Sequence, residues 1–150
     1  DLRMSRGLGD VYKRQEVYEV GARNDDVDPF KMIQRISTIE PDEKQRAAAS
    51  GIEFSPDGNH LFVTNAGINT VIIYDVDKET GVLTPLFHCK TSGDYPKAVA
   101  VMPDNKHFIV LSHETDEIFI YNMNYEDCYF LQDSRPIKIE QPNCIFIHKL

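Results

Sequence analysis

Tryptophan is missing from the 150 residues, and the cysteines, Cys89, Cys128 and Cys144, are three in number with no Cys-x-x-Cys spacing. Neither a disulfide framework nor a zinc knuckle can be written from them, so the thiols read as buried or idle groups. No apolar run approaches the roughly 18 to 20 residues that span a bilayer as a helix, and the N-terminus lacks the order of a secretory signal. A soluble, cytoplasmic protein without a membrane partner is the expectation. Positive charge is scarce as well: 16 Lys and Arg stand against 24 Asp and Glu, a net charge of −8. Such a chain repels a phosphate backbone, and nucleic acid is not an expected partner. What is present, 41% hydrophobic and 27% charged residues, is ordinary composition. It is enough for one domain with a core.

The start of the chain stands apart. Residue 1 is Asp, the first methionine is Met4, and Asp1 to Gln15 shows little apolar periodicity while holding a close cluster of Arg and Lys. Within it, Gly9-Asp10-Val11-Tyr12-Lys13-Arg14-Gln15 resembles translated sequencing-adapter read-through. Residues 1–15 are therefore read as a non-native leader and set aside, which leaves the remainder more acidic still.

Self-similarity then becomes visible. Ser55-Pro56-Asp57-Gly58-Asn59-His60-Leu61-Phe62-Val63 recurs as Met102-Pro103-Asp104-Asn105-Lys106-His107-Phe108-Ile109-Val110, an offset of 47 residues. The same register carries Val71-Ile72-Ile73-Tyr74-Asp75-Val76-Asp77 onto Ile118-Phe119-Ile120-Tyr121-Asn122-Met123-Asn124 without a gap. A truncated third copy, Gln141-Pro142-Asn143-Cys144-Ile145-Phe146-Ile147, matches Tyr95-Pro96-Lys97-Ala98-Val99-Ala100-Val101. The first unit parses into strands over Gly51 to Ser55, Leu61 to Asn65, Thr70 to Asp77 and Leu83 to Thr91, with turn residues between them. Proline presets one turn dihedral, Asp bonds the following backbone, and Gly58 supplies a left-handed residue whose counterpart is Asn105, which tolerates that conformation.

The middle strands are apolar on both sides, so both sheet faces must be covered, and no helical stretch is available to cover them. Four-stranded units of this length stacked face to face are the blades of a β-propeller, an all-β fold of antiparallel blades. A β-sandwich is the competing architecture, but it does not require the offset of 47. Upstream, Val17 to Val20 and Met32 to Ile39 read as the outer strands of a preceding blade. Residues 16–150 thus hold half a blade, two blades and one inner strand. A ring closes with at least four blades, so the missing N-terminal blades of the same chain are the expected partners.

Several pieces taken in order resemble the seven-bladed β-propeller lactonases of the 6-phosphogluconolactonase type. They are Ala48-Ala49-Ser50-Gly51-Ile52-Glu53-Phe54-Ser55-Pro56-Asp57-Gly58, Leu61-Phe62-Val63-Thr64-Asn65-Ala66-Gly67, Gly93-Asp94-Tyr95-Pro96-Lys97 and Gln141-Pro142-Asn143-Cys144-Ile145. The resemblance implies a C-terminal part of such a protein, and with it sugar-lactone hydrolysis in the pentose phosphate route. It departs from the family pattern at Ser50, Ala66 and Lys97, where Asp, Arg and Arg are usual, and the loss at Ala66 weakens the case for a phosphate-bearing substrate. The family's proposed catalytic Glu and His fall in earlier blades.

By topology, ligands meet the loops entering each inner strand and those between second and third strands. Arg46 and Lys97 are candidates for holding an anion, His113 and Glu114 for orienting or deprotonating water, and Asn65 and Asn143 for facing the developing oxyanion. His60, His88 and His107 read as structural or exposed. No cofactor and no metal site are expected. A non-catalytic propeller that binds a protein or carbohydrate is the alternative function.

Overall fold

Residues 2–5, 13–21, 29–41 and 47–148 are described by a computed structural model of the protein. Its strands form three antiparallel sheets. Sheet I holds β1 (Leu2–Ser5), β2 (Arg14–Val20) and β3 (Phe30–Ser37) in that order. Sheet II runs β4 (Ala48–Phe54), β5 (His60–Ala66), β6 (Thr70–Val76) and β7 (Leu83–Lys90). Sheet III repeats it with β8 (Pro96–Val101), β9 (His107–Ser112), β10 (Glu117–Asn124) and β11 (Tyr129–Gln132). A last short strand, β12 (Ile137–Lys138), also pairs with β10, so the outer strand of sheet III is interrupted where that of sheet II is continuous.

The repeat is a repeat of backbone geometry. Left-handed residues recur at the 47-residue spacing as Gly58 and Asn105, Asn69 and Asp116, and Gly81 and Cys128, with φ between 53° and 72°. At each Pro-Asp turn the same bonds close the loop: Gly58 N–H donates to Ser55 O at 2.8 Å and Asn105 N–H to Met102 O at 3.0 Å. The Asp side chains cap the next backbone amides, Asp57 accepting from Asn59 N–H and Asp104 from Lys106 and His107 N–H.

Both faces of sheet II are covered, as its doubly apolar strands require. Leu61, Val63, Ile72 and Tyr74 pack toward Val17, Ile33 and Ile36 of sheet I. Phe62, Val71 and Ile73 pack toward Val99, Val101, Phe108, Val110 and Tyr121 of sheet III. The Phe62 and Phe108 rings lie 5.2 Å apart and neither side chain keeps exposed surface. Each such burial contributes roughly 1.5 to 3 kcal/mol, which makes the sheet stack the main cohesive element.

Four details refine the expectations. β3 spans Phe30–Ser37 instead of Met32 to Ile39. β2 begins at Arg14, inside the segment set aside, Gln15 is buried, and β1 pairs with β2 from Leu2 against Glu19 to Ser5 against Glu16. Residues 141–147 carry no strand, because no neighbouring strand offers them a ladder among the described residues. The thiols stay unpaired, Cys89 half-buried and Cys128 and Cys144 exposed. Among the described residues no helix is long and apolar enough to cross a membrane.

Candidate functional site

The loops expected at the mouth meet at one end of the sheets and are latched by a repeated set of hydrogen bonds. Asn69 and Asp116, both left-handed, lie between second and third strands. Asn69 Oδ1 accepts from Tyr95 N–H at 3.1 Å, and Asp116 Oδ1 accepts from Gln141 N–H at 2.9 Å. Their carbonyls accept from Thr91 and Ile139 N–H at 2.8 and 3.0 Å. Among the described residues, the loop entering β8 and the segment at Gln141 are therefore each held by the turn of the sheet before it.

A second repeated pair works deeper. Asn65 Nδ2 donates to Thr38 O at 2.6 Å, and Ser112 Oγ, 47 residues on, donates to Ser92 O at 3.1 Å. Both side chains are fully buried. The Tyr74 hydroxyl donates to Ser37 O at 2.5 Å, and the Tyr121 hydroxyl accepts from Ser92 N–H at 2.6 Å. Burial pushes both phenols upward, so they stay protonated throughout the physiological range.

Bulges aim the inner strands. Ser50 is the extra residue between the Ala49–Asn65 and Gly51–Thr64 pairs, and Lys97 is the extra residue between Pro96–Ser112 and Ala98–Leu111. An extra residue breaks the two-residue alternation and redirects its side chain. Ser50 Oγ meets Thr64 Oγ1 at 3.0 Å and donates to Pro96 O, tying β4 to β8. The Lys97 ammonium lies over the Tyr95 ring, 5.5 Å from its centroid.

The turn that carries His113 also meets Tyr95. Its N–H donates to Tyr95 O at 3.0 Å, its ring centroid is 6.3 Å from that of Tyr95, and its Nδ1–H donates to Pro142 O at 3.3 Å. In the neutral tautomer this leaves Nε2 with a free lone pair, the form needed to accept a proton from water. Glu114 is exposed beside it, its N–H donating to Asp94 O at 3.3 Å. Asn143 is exposed one residue beyond Pro142, with Nδ2 donating to Gln141 O at 3.2 Å.

The structure thus brings Lys97 and His113 to Tyr95 and sets Pro142 against His113, with Glu114 and Asn143 exposed beside these residues in sequence. Asn65 is enclosed, its amide N–H committed to the loop after sheet I, and Arg46 lies outside the described residues. Tyr95, Asn69 and Asp116 were not singled out from the sequence. The signal for the latter two was there, an Asn and an Asp at the same place in successive units.

A family profile described as "Lactonase, 7-bladed beta-propeller" matches residues 15–147. The chain belongs to this family. A 6-phosphogluconolactonase of Bacillus subtilis (strain 168) is 22% identical to this lactonase-family chain over 122 residues, covering 81% of the chain and 35% of that protein. A 6-phosphogluconolactonase of Formosa agariphila is 29% identical over 80 residues, 52% of the chain and 23% of that protein. Among solved structures, the periplasmic gluconolactonase PpgL of Pseudomonas aeruginosa shares the fold with a TM-score of 0.76 at 16% identity, covering 89% of this chain and 36% of that one. The chain spans about a quarter to a third of the length of the curated relatives it matches.

Proposed function

We propose that this lactonase-family chain is part of a longer protein that hydrolyses a sugar lactone in the manner of a 6-phosphogluconolactonase. The family match over residues 15–147 carries the reading, and the convergence of Lys97 and His113 on Tyr95 supports it. Water attacks the lactone carbonyl carbon, giving a tetrahedral oxyanion. Collapse breaks the ester C–O bond, the ring oxygen leaves as a hydroxyl, and the product acid releases a proton to become a carboxylate. His113 Nε2 takes the proton of the attacking water and returns one to the leaving oxygen, while Glu114 orients the water. Asn143, the exposed amide, faces the oxyanion, and the enclosed Asn65 positions the loop. Lys97 and Arg46 hold anionic groups of substrate or product. The remaining blades complete the ring, and the free thiols favour a reducing, cytoplasmic setting.

The test is lactone disappearance, with 6-phosphogluconolactone and with glucono-1,5-lactone, using the longer protein recovered from the upstream reading frame. Turnover above the spontaneous rate should fall about 10²-fold or more in His113→Ala and about tenfold in Lys97→Ala. The 150-residue chain alone should show none, since it supplies one side of a channel whose groups must converge to about 1 Å. A full-length protein without turnover overturns the hydrolysis reading and leaves a binding module in its place.

A further inference from the structure

We propose that Tyr95 is the stacking platform of a sugar-ring subsite at the mouth, with the Lys97 ammonium and the His113 imidazole as its polar rim. The lactone reading above supplies the ligand class; the geometry supplies the place. The backbone at Tyr95 is left-handed, φ 56°, and at the equivalent Gln141 it is left-handed again, φ 43°. Both residues donate their N–H to the side chain of a left-handed residue in the preceding turn, Asn69 or Asp116. The fold therefore demands the conformation. It does not demand tyrosine, because Gly or Asn adopts this region at little steric cost, whereas a bulky residue there is an outlier. Among the described residues the other non-glycine residues in this region are Asn69, Asn105, Asp116, Cys128 and Gln141, none of them aromatic.

An aromatic ring in that place serves something other than the turn, and its surroundings say what. Tyr95 keeps 37% of its surface exposed. The Lys97 ammonium stands 5.5 Å from its centroid and the His113 ring 6.3 Å away, tilted by 57°. A pyranose presents a face of C–H groups to an aromatic ring while its hydroxyls point outward to polar partners. Tyr95 offers the ring, and the two flanking side chains offer the partners. The backbone bonds from Tyr95 N–H and to Tyr95 O hold the platform rigid before any ligand arrives, which reduces the ordering cost of binding.

The experiment titrates the 150-residue chain with 1,5-anhydro-D-glucitol, a pyranose without a reactive carbonyl, and with sorbitol, an acyclic polyol, reading saturation transfer by NMR. Ring protons of the anhydroglucitol should receive saturation in the wild type and in Tyr95→Phe, and about fivefold less or lower in Tyr95→Gly and Tyr95→Asn. Sorbitol should receive little in any of them. The melting temperature of Tyr95→Gly should stay level or rise, by up to about 4 °C, because strain is relieved. Equal saturation in Tyr95→Gly, none in the wild type, or a lowered melting temperature in both ring-free variants overturns the subsite. These readouts do not depend on turnover. A longer protein that hydrolyses lactone with KM unchanged in Tyr95→Gly overturns the subsite alone, and one that hydrolyses nothing overturns only the hydrolysis reading.

Discussion

Gly93 shows how much a single residue can decide at the mouth. Its φ is +77°, and a Cβ placed there would come within 2.5 Å of the Phe119 ring and 2.7 Å of the Ser112 side chain. Gly93→Ala should therefore lower stability by about 2 to 4 kcal/mol in urea melts. Gly21, with open space around it, should accept Ala within about 0.5 kcal/mol. Asp104 carries a pH signature. Burial raises its carboxyl, but the bonds from His107 Nδ1 at 2.6 Å and from His107 and Lys106 N–H outweigh it and hold the group down at about 2. A carboxylate depressed in the folded state stabilises it above the unfolded value near 3.9 and loses that contribution as pH falls toward 2. With the side chain 46% exposed, Asp104→Asn should cost about 0.5 to 1 kcal/mol at pH 6. The gap to wild type should close between about pH 4 and 2 in denaturation curves taken across that range. The Asp was legible in the sequence as a turn residue; the imidazole that reinforces it became visible only once β9 had brought His107 back over the turn.

At the scale of elements, strands and turns were readable because their chemistry is local. Pro-Asp-Gly predicts its own hairpin, and the 47-residue register places the second and third strands of sheets II and III to within a residue. The bulges at Ser50 and Lys97 were not readable, since nothing in the Ala-Ser-Gly or Pro-Lys-Ala runs announces an extra residue in the strand. β1 and β2 show a different limit. Composition set residues 1–15 apart, yet Lys13 O accepts from Thr38 N–H at 2.9 Å and Gln15 is buried. We propose that the leader carries no essential stability before Lys13. Deleting residues 1–12 should change the unfolding free energy by less than about 0.5 kcal/mol, and deleting 1–15 should cost measurably more. Equal, large losses in both truncations would show that β1 is integral to the sheet.

For the molecule as a whole, stacking is what stabilises and also what remains incomplete. Sheet II is sealed on both faces, whereas Leu131 and Ile137 on the outer strands of sheet III are 63% and 51% exposed, followed by Ile139 at 48% and Phe146 at 86%. Apolar surface of this kind favours association. Sedimentation of the isolated chain should give a mass above 17.2 kDa that rises with loading, and a Leu131→Glu, Phe146→Ser double variant should return it toward the monomer. A concentration-independent monomer would show that the exposed groups are too scattered to act as a patch.

Much of this protein was settled by sequence alone: an all-β repeat of four-stranded units, its turn chemistry, the need to cover both faces of each sheet, and the set of loops that share one end. Those features follow from local dihedral preferences and from a period that survives substitution, Asn105 for Gly58 and Asp116 for Asn69. Tertiary structure decided which side chains in those loops act together. Asn65 reads as a free amide until β5 buries it against Thr38 O, Tyr95 reads as a spacer until Asn69 and His113 lock it, and Lys97 reads as a surface ammonium until a bulge turns it over that ring. Each outcome rests on contacts between residues 18 to 27 positions apart, or on a one-residue slip in strand pairing. Such contacts form only when distant strands have paired or one sheet has been laid on the next, and no local pattern of side chains encodes them.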